Sequence, residues 1–150
     1  MTSKRLRCFV AMAFGQDDTD ALYDDVVAPI LKQYEVTPIQ IDRKEDNRNI
    51  NEVIVEEIRR SDFLLADLTY ARPSVYFEAG FGEWEKPVIY TVRGDHLKPN
   101  PAMPLDTLRV HFDVSMRNIV KWQTPQDTKF VEASRTPNPI RNQTVACRTP

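Results

Sequence analysis

Four strand-like segments, separated by stretches in which apolar residues recur at helical spacing, organise the chain up to Val92. Cys8 to Phe14 is a near-continuous apolar run bounded by charge on one side and Gly15 on the other, the pattern of a central strand buried on both faces. After GQDDTD, Leu22, Val26 and Ile30 recur every four residues, and Asp17, Asp18 and Asp20 stand where negative charge complements a helix start. Pro29 predicts a kink or an early end to that helix. Pro38 to Asp42 alternates as a short strand, and the polar loop Arg43 to Arg48 leads into a second helix. There Ile50, Val53, Ile54 and Ile58 form the apolar stripe, with Asn47 or Asn49 placed to cap it. The third strand is Asp62 to Leu68; a short glycine-bearing helix then runs into a fourth, Pro87 to Val92. Beyond that point HLKPNPAMPLD reads as loop, Arg109 to Val114 as a last short strand, and Met116 to Trp122 as a weakly signalled helix. Strands alternating with helices imply right-handed crossovers and a parallel sheet covered on both faces. The expected fold is therefore a flavodoxin-like or Rossmann-like three-layer α/β sandwich with a mostly parallel sheet of about five strands. Residues 1–122 form one domain in this reading, and 123–150, with several Pro and little periodicity, a weakly structured tail.

Composition narrows the function. At 150 residues, 41% apolar and 28% charged, the chain is expected to build one soluble globular core, and no run approaches the ~18 apolar residues of a membrane span. A net charge of −2 supplies no broad positive field for nucleic acid, so a small-molecule ligand is expected instead. Cys8 and Cys147 make neither a disulfide framework nor a metal cluster, and as free thiols they suggest a reducing cytoplasm. The basic residues before the Cys8 to Phe14 run imitate a signal peptide, but the run is short and no small-residue cleavage site follows, so it reads as a strand. His96 and His111 lack metal-ligand spacing and read as surface or packing residues. The first strand ends in AMAFGQDD, with a single Gly and neither a dinucleotide fingerprint nor a phosphate-binding glycine loop, and no cofactor is expected.

The chemistry concentrates in ADLTYARPSVYFEAGFGEWEKPVIY, Ala66 to Tyr90. It delivers two carboxylates, Asp67 and Glu78, to the strand ends where open α/β sheets bind ligands. Glu78 stands on the first turns of its helix between Phe77 and Phe81, with no salt-bridge partner at helical spacing. It reads either as a surface carboxylate on a solvated stripe or as a partly desolvated nucleophile or stabiliser of an oxocarbenium-like centre. Asp67 is placed to orient a ligand hydroxyl, to hold the surroundings of Glu78, or to cap its loop by bonding to the backbone at Thr69 or Tyr70. Asp42, ending the second strand, reads as a ribose-binding acid or a turn residue. Gly80 and Gly82 allow close approach of a ligand or of the neighbouring strand. Tyr76, Phe77, Phe81 and Trp84 are spaced for burial against the sheet, with Tyr76 alternatively presenting its phenol beside Glu78. Met12 and Phe14, at the end of the first strand, complete the expected ligand-binding set.

At SDFLLADLTYARPSVYFEAGFGEWEKPVIY the chain resembles the nucleoside 2-deoxyribosyltransferases and their nucleotide-hydrolysing relatives. In that family an acid-ending strand, a loop, a Glu-x-Gly helix and a Lys-Pro-led strand follow in this order. The resemblance maps the family nucleophile, which attacks the anomeric carbon and expels the base, onto Glu78. CFVAMAF and ADLT also look like TIR-like domains, in which a related Glu supports cleavage of NAD at its nicotinamide bond. Three departures stand out: Phe9 replaces a Tyr that orients the nucleophile, Ile54 stands at or near a carboxylate that assists the leaving base, and Arg72 lies six residues before Glu78. Arg72, with Ser74 beside it, favours a phosphorylated ligand over a bare nucleoside and weighs against transfer between bases.

The resemblance thus implies N-glycosidic cleavage or transfer on a nucleoside, nucleotide or NAD-like ligand, with Glu78, Asp67 and Tyr76 catalytic. Met12, Phe14, Asp42, Arg72, Ser74 and Gly80 would bind the ligand, and a homo-oligomer is expected by analogy. The general acid is left open between Asp42, Tyr76 and a residue of another subunit. A nucleotide sensor without turnover and a phospho-accepting receiver domain are the competing classes.

Overall fold

A computed structural model describes residues 5–41, 50–97 and 109–127. Within them five strands form one parallel sheet in the order β2-β1-β3-β4-β5: β1 Arg7–Ala11, β2 Thr37–Ile39, β3 Phe63–Asp67, β4 Val88–Arg93 and β5 Ile119–Trp122. The sheet runs in register from Arg7 opposite Thr37 to Arg93 opposite Trp122. β1 is an interior strand, paired with β2 and β3, and is buried from Cys8 to Ala11 because that run offers no charged side chain to either face.

Helices cover both faces. Phe9, Ala11, Leu64, Ala66, Val88, Tyr90 and Val92 pack with Ile54 and Ile58 of α3 (Ile50–Arg60) and with Val75 and Ala79 of α4 (Pro73–Glu83). The alternate residues Cys8, Val10, Phe63, Leu65 and Trp122 face Leu22, Val26, Val27 and Ile30 on the other side. That second layer is α1 (Asp17–Leu22) and α2 (Ala28–Gln33), joined by a π-helical turn over Tyr23–Val27. The kink expected at Pro29 takes this form: one widened turn stands just before a proline that lacks an N–H, and Pro29 then falls in the first turn of α2.

Two sequence expectations are corrected at the fifth strand. Arg109 to Val114 is no strand; Phe112–Ser115 forms the short helix α5, with Val110 and Val114 packed toward the α3/α4 core. Met116 to Trp122 holds no helix; its second half is β5, paired to β4 from Tyr90–Ile119 onward. The aromatic set on α4 is corrected as well: Phe77 and Trp84 are exposed, and Phe81 is half-buried. Asp42, the caps Asn47 and Asn49, most of the proline-rich loop and nearly all of the expected tail lie outside the described residues. No helix among the described residues is long and apolar enough to cross a membrane.

Candidate functional site

Chain direction changes at β1. The connection leaving β1 crosses one face of the sheet to β2, while those leaving β3 and β4 run over the opposite face, so the loops after β1 and β3 diverge. A crevice at the carboxyl ends of β1 and β3 is where open α/β sheets take ligands. Its β1 wall is held by Thr19, whose hydroxyl donates to the Ala13 carbonyl (3.0 Å) and approaches that of Gln16 (3.3 Å). Gly15 takes φ of 70° there, which a side chain would resist. Met12 is buried just past β1, and Phe14 is exposed at the rim.

The β3 wall is built on strained backbone. Tyr70 (φ 68°) and Ala71 (φ 43°) both stand in the left-handed region without being glycine. The Tyr70 N–H donates to His96 Nδ1 (3.2 Å), its ring meets the His96 ring edge-on at 5.0 Å, and its hydroxyl donates to Asp18 Oδ1 (2.9 Å). Arg93, ending β4, pairs with Asp18 and with Asp95 (2.7 Å), and its backbone N–H donates to Thr69 Oγ1 (3.0 Å). The Arg93 guanidinium holds the Asp95 carboxyl below the usual carboxylate range. This polar cluster ties the starts of α1 and α4 to β4. Arg93 ends β4 one residue beyond the fourth strand read from the sequence, and nothing in the sequence pairs it with Asp18 across the sheet.

Pro73 belongs not to the loop but to the first turn of α4, where its missing N–H costs nothing. Glu78 therefore lies mid-helix. Its stripe is Val75, Glu78, Ala79 and Gly82, the i, i+3, i+4, i+7 set that faces the sheet, and Glu78 is only 7% exposed. The surface-carboxylate reading is thereby corrected. Helical side chains lean toward the N-terminus, so this carboxylate leans toward the crevice at the strand ends. Gly82 brings α4 down onto β3: a Cβ there would stand 2.4 Å from Leu64 Cδ2.

The other expected residues separate from Glu78. Asp67 is 0% exposed, and its carboxylate accepts from the Thr69 N–H (3.1 Å), the Thr91 hydroxyl (2.6 Å) and Trp122 Nε1 (2.9 Å). The bond to Thr69 is the loop cap anticipated in the sequence; the bonds to Thr91 and Trp122 also clamp β3, β4 and β5 together. Burial raises the Asp67 carboxyl despite these donors. With no exposed surface it is not open to phosphate transfer, which disfavours the receiver reading. Tyr76 and Gly80 each lie two residues from Glu78, about 200° around the helix. The Tyr76 hydroxyl accepts from the His111 N–H (3.0 Å), and Gly80 faces outward with nothing within 4 Å of a Cβ position. Neither joins the Glu78 carboxylate. Arg72 is exposed at the N-cap of α4 with half-buried Ser74 two residues on, both at the crevice end of the helix.

No family model matches the sequence, and no curated protein matches it. Among solved structures, the chain is similar to a CMP N-glycosidase of Clostridium botulinum, with a TM-score of 0.55, 13% identity, and coverage of 85% of this chain and 97% of that one. It is equally similar to a conserved protein of Enterococcus faecalis V583, with a TM-score of 0.55, 14% identity, and coverage of 87% and 98%. At such identity the likeness shows a shared fold, an α/β sandwich on a five-stranded parallel sheet, spanning nearly the whole of both relatives.

Proposed function

We propose that this chain cleaves the N-glycosidic bond of a nucleoside monophosphate, with Glu78 acting on the anomeric carbon. The observation that carries the reading is a carboxylate on the sheet-facing stripe of α4, 7% exposed, beside the crevice where β1 and β3 diverge. A surface role does not explain that position, whereas nucleophilic attack or stabilisation of an oxocarbenium-like centre does. Exposed Arg72 and half-buried Ser74, at the start of α4, suit a phosphate at the outer end of the crevice. Asp67 acts indirectly in this scheme, fixing the strand ends from which the β3 wall rises. The similarity in fold to a CMP N-glycosidase supports a nucleotide ligand and hydrolysis rather than transfer.

Phe9 favours a second reading. It is buried in the α3/α4 core and has no hydroxyl to orient a nucleophile, as a module that binds nucleotide without turnover would tolerate. One experiment separates the two. The protein is incubated with ribo- and deoxynucleoside monophosphates and with NAD, and free base is measured by chromatography beside Glu78→Gln. Base release from a monophosphate, abolished in the variant, is expected; release from NAD alone would shift the ligand class. Tight binding without release from any member would establish the sensor, and equal release by the variant would remove Glu78 from the chemistry.

A further inference from the structure

Tyr70 holds a backbone conformation that its own side chain opposes. At φ 68° and ψ 7° it lies in the left-handed region, an outlier for a bulky residue, and Ala71 follows at φ 43°. Glycine would make the same turn freely, so the turn alone gives no reason for a tyrosine. Three elements hold the side chain instead. Its hydroxyl donates to Asp18 Oδ1 (2.9 Å) at the start of α1 and accepts from Arg93 Nη1 (3.3 Å) at the end of β4. The Arg93 guanidinium also stands over the ring, 5.5 Å from its centroid, and His96 meets the ring edge-on at 5.0 Å. Burial, and after it the bond to Asp18, raises the phenol above its ordinary value, so the hydroxyl keeps the proton it donates.

The contacts divide by wall. His96 Nδ1 and the Thr69 hydroxyl fasten the turn to the end of β4, and Arg93 fastens Asp18 to the same place. The Tyr70 hydroxyl, through Asp18, joins the β3 wall directly to the β1 wall. Two residues further on, Arg72 is the N-cap of α4, so the direction in which the chain leaves Tyr70 and Ala71 sets the start of the helix that carries Ser74 and Glu78. We propose that, given the cleavage of nucleoside monophosphates put forward above, Tyr70 is a positioning residue for that reaction: its strained turn aims α4, and its hydroxyl fixes the width of the crevice. It acts through α4 and Asp18 and does not touch the reacting atoms. A ligand between walls that are free to shift still binds, but its anomeric carbon is seldom aligned with Glu78. The loss therefore falls on kcat and not on KM.

The test is steady-state base release by the full chain from ribo- and deoxynucleoside monophosphates, with thermal melting of the same samples followed by circular dichroism. Tyr70→Phe keeps the ring and the turn and removes the hydroxyl. Asp18→Ala removes the acceptor, whereas Asp18→Asn keeps an acceptor oxygen and loses the charge that pairs with Arg93. Tyr70→Phe should lower kcat by about tenfold or more while KM stays within about threefold. Asp18→Ala should do the same, and the double variant should be no slower than the slower single one, because both remove one bond. Asp18→Asn should regain most of the kcat lost in Asp18→Ala. An unchanged kcat in Tyr70→Phe would overturn the role. Losses that add in the double variant would overturn it too, as would losses of kcat that follow the melting midpoint, the mark of a structural staple. A rise in KM alone would put Tyr70 against the ligand and not behind it. No base release from the wild-type chain is a separate result: it removes the cleavage reading, and the positioning role with it, before any variant is compared.

Discussion

Glu78, midway along α4, and Asp67, ending β3, are both buried acids, and the proposed function gives them different tasks. Under the proposed function, replacement of Glu78 is read in chemistry rather than folding: Glu78→Gln keeps shape and should lower base release by about a thousandfold or more, with native near-ultraviolet circular dichroism. Asp67 should be read in stability and its dependence on pH. Burial raises its carboxyl above the ordinary value in the folded chain, so the native state holds that proton more tightly than the unfolded one. Its contribution is then fully present below the unfolded pKa, near ~3.9, and is lost as pH rises through the folded value. Trp122 Nε1 donates to the charged form, and Trp122→Phe should raise Asp67 further. The penalty of that substitution should be smallest in acid, where both proteins carry the protonated group, and should grow by about 1.5–3 kcal/mol above any packing loss as pH rises through the folded Asp67 value. Urea unfolding of both proteins from acid to alkaline pH checks this; a penalty independent of pH across that whole range would mean that the indole does not stabilise the charge.

On α4 the two glycines should respond with opposite signs. Gly82→Ala drives a Cβ to 2.4 Å from Leu64, which is fully buried and cannot swing aside, and should cost about 1–3 kcal/mol. Gly80→Ala enters open space and should stabilise the fold by up to about 1 kcal/mol, as measured by urea denaturation. Periodicity made part of this legible in advance, since Val75, Glu78, Ala79 and Gly82 already stand at i, i+3, i+4 and i+7 in the sequence. It also misled: the spacing of Tyr76, Phe77, Phe81 and Trp84 reads as burial against the sheet, whereas Phe77 and Trp84 fall on the opposite stripe, in the open. The α/β order up to β4 was readable because each strand is an apolar or alternating run between polar stretches. The fifth strand was not. VHFDV alternates like a strand but supplies Val110 and Val114 to the core around the short turn of α5, while β5 has only four residues and is selected by pairing with β4 and by the bond from Trp122 to Asp67. The strained turn at Tyr70 and Ala71 left no trace at all, because the partners that hold it, Asp18 and His96, are distant in sequence.

At the scale of the sheet, β1 is an interior strand locked from four directions: β2 and β3 bond to it on either edge, and a separate apolar core covers each face. Cys8 lies inside the α1/α2 core with no exposed surface, and burial pushes its thiol far above the ordinary range, so the reactive thiolate is scarce in the native state. Reaching it requires β1 to leave the sheet, and because β1 contributes to both cores, that opening should be global unfolding rather than local fraying. In a Cys147→Ser background the labelling of Cys8 by a disulfide reagent should therefore be slow, and should accelerate with urea at the slope of global unfolding. A ligand that binds only the folded crevice then slows labelling by mass action: at a hundred times its dissociation constant, stability rises by about 2.7 kcal/mol and the rate falls about a hundredfold. Under the proposed function, adding Glu78→Gln prevents turnover, so the ligand survives the measurement. Under the proposed function a nucleoside monophosphate should protect strongly, the corresponding nucleoside less, and orthophosphate alone least. Rapid labelling without urea would show that the sheet opens at β1 without unfolding, and equal protection by nucleoside and nucleotide would remove the phosphate contact assigned to Arg72.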